Sequence, residues 1–275
     1  TGNSAANVLA GGAGNDTYVI DSLTDTQIEQ ARESLCIALG SKSLHGKRFL
    51  DAGCGSGLSS LAANRLGAEV VSFDFDPEAV RCATLLRERL GGGGSWKITT
   101  GSVLDRVFLE SLGEYEIVYS WGVLHHTGDM WRALDHAVAR VRPGGWLFIS
   151  IYNDQGWRSR AWTRVKRIFN SLPGTLRKPY AVLVMLPIEL RAIGVAAARG
   201  RLGAYIREWT NAGEYERGMS RWHDIVDWVG GYPFEVATPE EIFEFCTRRG
   251  FELRRLSTVG GGLGCNQFVF ELTGS

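Results

Sequence analysis

The sequence predicts a doubly wound α/β fold: a seven-stranded, mostly parallel sheet that ends in an antiparallel C-terminal hairpin and carries a helical insertion. Three observations predict it. Short apolar runs alternate with helix-period segments from Arg48 to Tyr152, and such alternation places helices on both faces of a parallel sheet. Two later runs, Phe251 to Val259 and Asn266 to Leu272, are joined only by Gly260-Gly261-Gly262-Leu263-Gly264, a connection short enough to permit only an antiparallel pair. Between Asn153 and Thr238 the alternation is interrupted by about 85 residues of mostly helical pattern.

The elements follow in order. From Asp25 to Leu39, Ile28, Leu35, Cys36 and Leu39 share a helical stripe. Arg48 to Ala52 is a strand, Ser56 to Leu66 a helix, and Glu69 to Phe73 a strand. Pro77 can start the helix that runs to Leu90, and the glycines Gly91 to Gly94 end it. Trp96 to Thr100 and Glu116 to Ser120 are strands that flank a short helix, Asp105 to Leu112. A helix is expected from about Asp129 to Val141, then a turn at Pro143-Gly144-Gly145 into the strand Trp146 to Tyr152. Pro239 to Arg249 reads as the helix before the hairpin.

Composition limits the classes of function. The chain has 275 residues, 44% hydrophobic and 22% charged, with a formal net charge of zero. These values suit an ordinary globular protein with a sizeable core, and the whole molecule has no bias toward nucleic acid or anionic membranes. The five cysteines lie far apart with no C-x-x-C pair. Neither a disulfide framework nor a metal site is indicated, and a reducing, cytoplasmic compartment is expected. No secretory leader pattern is present. No run of ~18 apolar residues is free of charge. The nearest, Tyr180 to Ala198, is interrupted by Pro187, Glu189 and Arg191, so it reads as a buried or lid helix and no membrane span is expected.

Four domains are expected: residues 1–22, a core at 23–154, a lid at 155–237, and a completing segment at 238–275. In the first, Gly11-Gly12-Ala13-Gly14-Asn15-Asp16-Thr17-Tyr18-Val19 fits the calcium-binding nonapeptide G-G-x-G-x-D-x-U-x and resembles an RTX-type β-roll remnant. Gly2 to Ala10 repeats it loosely. Either calcium binding or an irregular cap fits, since stacked repeats need about three units. The lid segment Gln155 to Arg221 holds 13 Lys or Arg against 4 Asp or Glu. It is either a solvated helical face or a surface for an anionic substrate or membrane.

The strongest chemical signal is Phe49-Leu50-Asp51-Ala52-Gly53-Cys54-Gly55-Ser56-Gly57-Leu58. Glycines at a strand-to-helix turn take unusual dihedrals and let a ligand approach the backbone. Leu58 stands where a dinucleotide fingerprint needs its last glycine. Asp74 ends the second strand about 20 residues after Gly53, where a carboxylate can accept bonds from ribose hydroxyls. Asp76 precedes Pro77 and is expected to cap its helix.

These segments resemble the class I S-adenosyl-L-methionine (SAM)-dependent methyltransferase family, whose layout is a Rossmann-like sheet of five parallel strands with a terminal hairpin. The likeness covers about Lys47 to Tyr152 well and Pro239 to Glu271 moderately. It implies SAM as cofactor, held by Asp51, Gly53, Cys54, Gly55 and Gly57 at the methionine moiety, with Asp51 reaching the ammonium. It implies Asp74 on the ribose and Phe75, Ser102 and Val103 at the adenine. Many members have an acid where Ser102 stands, and serine makes the same bond more weakly. Tyr119-Ser120-Trp121-Gly122-Val123-Leu124-His125-His126 resembles the fourth-strand segment of small-molecule methyltransferases, including the quinone-biosynthesis type, and adds Ser120 and Trp121 to the cofactor set.

Methyl transfer needs alignment and, for an oxygen nucleophile, often a base. His126 is the first candidate, His125 the second, and His223 can reach in from the lid; each can instead hydrogen-bond loop backbone. Tyr152 and Asn153 open onto the same cleft. The lid tryptophans Trp157, Trp162, Trp209, Trp222 and Trp228, with Tyr232, are either pocket wall or core. Arg158, Arg160 and Arg164 are either an anion site or a solvated face. A small-molecule acceptor, O-methylated by preference, is the expected partner. Nucleic acid is disfavoured, because Ser120-Trp121-Gly122-Val123 is not the Pro-Pro-Tyr type of amino-group enzyme. An RNA enzyme that uses the basic lid and a non-catalytic SAM- or calcium-binding module stay as alternatives. Oligomeric state is not legible.

Overall fold

The computed structural model describes residues 25–92, 94–210, 221–260 and 264–273. The nonapeptide segment, residues 1–22, lies outside them. Helix α1 (Asp25–Leu39) precedes the alternation β1 (Arg48–Ala52), α2 (Leu58–Arg65), β2 (Glu69–Asp74), α3 (Pro77–Leu90), β3 (Trp96–Thr100), α4 (Arg106–Leu112), β4 (Tyr115–Trp121), α5 (Met130–Val138) and β5 (Val141–Tyr152). Helices α6 (Trp157–Ser171), α7 (Gly174–Ala198), α8 (Leu202–Thr210) and α9 (Arg221–Gly230) form the insertion. Helix α10 (Pro239–Thr247) then leads to β6 (Phe251–Ser257) and β7 (Cys265–Leu272).

The sheet has seven strands in the order β3-β2-β1-β4-β5-β7-β6. Strands β1 to β5 pair in parallel, and β7 is antiparallel to both β5 and β6. Strand order reverses between β1 and β4, so the crevice of the fold opens above their carboxyl ends. Successive side chains point to opposite faces of a strand. Phe49, Ile117, Phe148 and Val269 therefore enter the layer under α1, α2 and α3. Their neighbours Leu50, Val118, Leu147 and Phe270 enter the layer under α4, α5 and α10.

Local chemistry sets the helix starts. The Asp76 side chain accepts from the Glu78 N–H at 2.9 Å, with Pro77 at the first helical position, as expected for a cap. Thr238 and Glu241 form a capping box at α10. The largest boundary difference lies between α5 and β5. Helix α5 stops at Val138, and β5 begins at Val141 and runs through Pro143-Gly144-Gly145. Tyr115 pairs with Val141 and Ile117 with Trp146, so the Pro-Gly-Gly stretch is absorbed as a bulge in a longer strand and is not a turn before it.

The insertion has a small core of its own: Phe169, Ala181, Ile225 and Val229, with Trp162 and Trp228 against it. Of the two expectations for the stretch that became α7, a buried or a lid helix, the buried one does not hold. Among its 25 residues only Ala181 is buried. Among the described residues it is long and apolar enough, by length and composition, to cross a membrane.

Candidate active site

A cavity of about 350 Å³ sits at the carboxyl ends of β1, β2, β3 and β4. Its wall includes Gly53, Asp74, Phe75, Ser102, Val103 and His126. Six of the sequence-predicted residues are thereby brought together. Asp51, Cys54, Gly55, Gly57, Ser120, Trp121 and His125 do not line it.

The loop after β1 needs its glycines. Gly53 has φ 84°, and an added Cβ would lie 2.4 Å from Val123 Cγ1. Gly57 has φ 86°, and its Cβ would meet that of Ala83 at 2.9 Å. Both the dihedral and the space exclude a side chain. The loop in turn fixes Asp74: Gly55 N–H donates to its Oδ2 at 2.9 Å and Asp76 N–H to its Oδ1 at 3.0 Å. Each oxygen keeps a further lone pair for a ligand. Burial raises the Asp74 pKa above the usual carboxylate value, against the pull of these backbone bonds. Phe75 is 78% exposed at the rim, a large apolar face with no protein cover. Ser102 Oγ accepts from Leu104 N–H at 3.2 Å.

Asp51 faces away from the cavity. It accepts from Ser60 Oγ at 2.6 Å; Ser60 and Ser72 hydroxyls lie 2.6 Å apart, and Trp96 Nε1 donates to Ser72 at 2.7 Å. This chain ties β1, α2, β2 and β3 together behind the loop. Burial pushes the Asp51 carboxyl up to about 7. Cys54 is buried, and its thiol pKa is raised by the same cause. Ser120 spends its hydroxyl on the Ala52 carbonyl at 2.8 Å, stitching β4 to β1. Trp121 packs into the layer under α1 and α2.

The two histidines follow β4 in a short 3-10 turn, Leu124–His126. His126 Nδ1 lies 2.6 Å from the Pro233 carbonyl oxygen. A carbonyl only accepts, so Nδ1 carries the proton and Nε2 of the neutral ring is left as an acceptor. Burial lowers the His126 pKa to about 4, with Lys166 adding a repulsive charge. His125 is 1% exposed, and its pKa is pushed well down by burial. Its Nδ1 has no partner among the described residues. The Tyr152 ring lies tilted beside it, 4.1 Å between centroids, and neighbours Trp228 and Phe234. Asn153 is committed to structure: its Oδ1 accepts from Asn266 at 3.0 Å. His223 lies on α9, and its side chain is outside the described residues, as are those of Trp209 and Trp222.

One residue that sequence reasoning missed is Lys166. It is 1% exposed on α6. Its ammonium donates to the Trp228 carbonyl and lies 4.4 Å from the Trp228 ring centroid and 4.9 Å from that of Phe234. Burial lowers its pKa to about 7. The signal was present: Trp162, Val165, Lys166 and Phe169 follow helical spacing, so the lysine falls on the apolar stripe of its helix. Trp162 and Trp228 take the core role among the lid tryptophans. Trp157 is exposed, and Arg158, Arg160 and Arg164 are a solvated face.

The sheet order, the glycine turn and the carboxylate at the end of β2 define an enzyme of the Rossmann-like methyltransferase class. A family profile described as a methyltransferase domain matches residues 26–177, more than half of the chain, and the chain belongs to this SAM-dependent family. It is 32% identical over 111 residues to a ubiquinone biosynthesis O-methyltransferase of Bordetella avium, covering 40% of this chain and 45% of that protein. A protein of the same name from Parvibaculum lavamentivorans is 34% identical over 107 residues, covering 38% and 40%. The chain thus matches less than half the length of these relatives. Magnesium protoporphyrin IX methyltransferase from Synechocystis, solved with SAH, superposes with a TM-score of 0.53 at 15% identity, covering 94% of this chain and 89% of that one. An N-methyltransferase from Bradyrhizobium japonicum, also solved with SAH, gives 0.50 at 14% identity, covering 95% and 94%. These two likenesses concern the fold.

Proposed function

We propose that the chain methylates a hydroxyl of a small-molecule acceptor, with residues 23–154 and 238–275 as the catalytic core and 155–237 as the lid over the acceptor. The observation that carries this reading is His126 on the wall of the cavity that Asp74 also lines, with its Nδ1 bonded to the Pro233 carbonyl so that the neutral ring keeps Nε2 as an acceptor. The names of the partial-length relatives support an oxygen acceptor.

The residues fit SAM. Asp74, oriented by two backbone N–H groups, has lone pairs for both ribose hydroxyls. Phe75 offers a face to the adenine, and Ser102 and Val103 its edge. Gly53, on the cavity wall, would face the methionine moiety. SAM supplies an electrophilic methyl group when bound. The chain orients the acceptor, excludes water and moves a proton. His126 Nε2 accepts the hydrogen bond of the acceptor hydroxyl. A base with a pKa of about 4 is weak toward a free phenol, yet it suffices for the strongly acidic proton of a freshly methylated oxygen.

Calorimetric titration with SAM and, separately, with NAD tests the cofactor. Micromolar SAM binding without NAD binding is expected; no SAM binding by a folded chain would overturn the reading. A screen of phenols, quinols and small acids then follows. His126→Ala should leave SAM affinity unchanged and lower kcat by about 10²–10⁴-fold, the range of a lost acid–base group. Unchanged kcat removes His126 from the proton path.

A further inference from the structure

We propose that the outer face of the insertion docks on an anionic lipid bilayer, with α7 lying in the interface. On α7, Val182, Leu183, Leu186, Leu190 and Ile193 are each 38–69% exposed. They recur every three to four residues, so they form one strip along the helix. Between Lys178 and Arg199 the only charges on α7 are Glu189 and Arg191. Glu189 is engaged, because its carboxylate accepts from the Tyr205 hydroxyl of α8. Monomeric surfaces rarely leave so continuous an apolar stretch facing water.

The charges around the strip choose the partner. Lys178 stands at the start of α7, and Arg199 and Arg201 follow its end; Arg177 is engaged with the Leu172 and Asn170 carbonyls. Helix α6, packed on α7, exposes Trp157, Arg160, Arg164 and Ile168 at helical spacing. None of the ion pairs found among the described residues involves these cations. A second copy of the chain meeting this face would set cations against cations, because a two-fold contact uses the same patch twice. A bilayer surface takes both parts: acyl chains for the aliphatic strip, and anionic headgroups for the arginines and lysines, with a tryptophan at the boundary. The helix is placed along the interface because it contacts α6, α8 and α9, and Ala181 is buried there.

Co-sedimentation of the purified chain with vesicles tests this without any turnover. The chain should bind phosphatidylglycerol–phosphatidylcholine vesicles, and bind pure phosphatidylcholine at least tenfold more weakly. Arg160→Gln with Arg164→Gln should lower the partition coefficient roughly 25-fold, about fivefold for each cation removed from an anionic surface. Leu183→Asn with Leu186→Asn changes exposed residues only and should lower it at least tenfold. No vesicle binding, equal binding to both vesicle types, or variants that bind like the parent would overturn the proposal. So would light scattering that shows a dimer abolished by the leucine changes. SAM titration of the same preparations reports on the catalytic reading separately, so failure of one does not imply failure of the other.

Discussion

His126 shows how one hydrogen bond and one environment set a side chain's chemistry. The Pro233 carbonyl selects the tautomer, and burial keeps the ring neutral down to about pH 4. The same shift is a stability statement. Between the free histidine value of about 6.5 and about 4, the unfolded chain binds a proton that the folded chain does not, so stability falls as pH falls through this window. The difference integrates to at most ~3 kcal/mol. Denaturation of the parent and of His126→Asn at pH 7.5 and pH 4 should show the parent losing more; equal losses would mean that the ring is not held neutral. Asp74 has the opposite duty, to stay charged and open to a ligand. Asp74→Ala should weaken SAM binding by about 1–3 kcal/mol, the scale of a lost charged hydrogen bond, read by calorimetry on a folded variant. The cavity residues were legible where motif spacing fixed them: Gly53, Asp74 and Phe75 lie together as their order along β1 and β2 requires. Asp51 and Ser120 are expected at the cofactor from their motifs; in the structure Asp51 Oδ2 accepts from Ser60 of α2 and Ser120 donates to the Ala52 carbonyl of β1. A sequence shows that a group is polar, not which of its neighbours takes the bond.

At the scale of elements, the β1–α2 turn holds the site because it has no side chains to spare. Gly53→Ala combines a left-handed dihedral with a Cβ pressed into Val123. It should cost about 2–4 kcal/mol, the sum of a positive-φ penalty and overpacking. In a double-mutant cycle Val123→Ala should recover the packing part and leave the dihedral part. Full recovery would show that the dihedral is unstrained. Strands β1, β2 and β3 and helix α3 were legible almost to the residue: Gly53 closes β1, Gly101 closes β3, and Pro77 opens and Gly91 closes α3, with β2 ending just before it. Strand β5 was not: Pro143-Gly144-Gly145 is turn chemistry in sequence, and only its pairing with β4 shows that it bulges within a strand. Helix α7 was legible as a helix, buried or in the lid, but its sequence did not decide between the two. Apolar composition predicts burial only when some other surface exists to bury against, and the insertion offers it one side.

At the scale of the molecule, the chain is a sheet with two deep layers and an insertion with a shallow core of its own. Hydrogen exchange should follow that division. The amides of β7, paired on both sides, should exchange as slowly as those of β1 and β4, and those of α6 to α8 much faster. A lid protected to the same level as the sheet would show a single cooperative unit. The placing of β7 also bears on biosynthesis. A ribosome emits β1 to β5 and the whole insertion before it emits the strand that covers β5. Until then β5, 12 residues long, presents an unpaired edge, a template on which nascent chains can associate. The insertion is complete before that edge is sealed. The chain is therefore most exposed to misassembly during its own synthesis, in the interval between β5 and β7, and chaperones that bind extended apolar segments have their clearest target there.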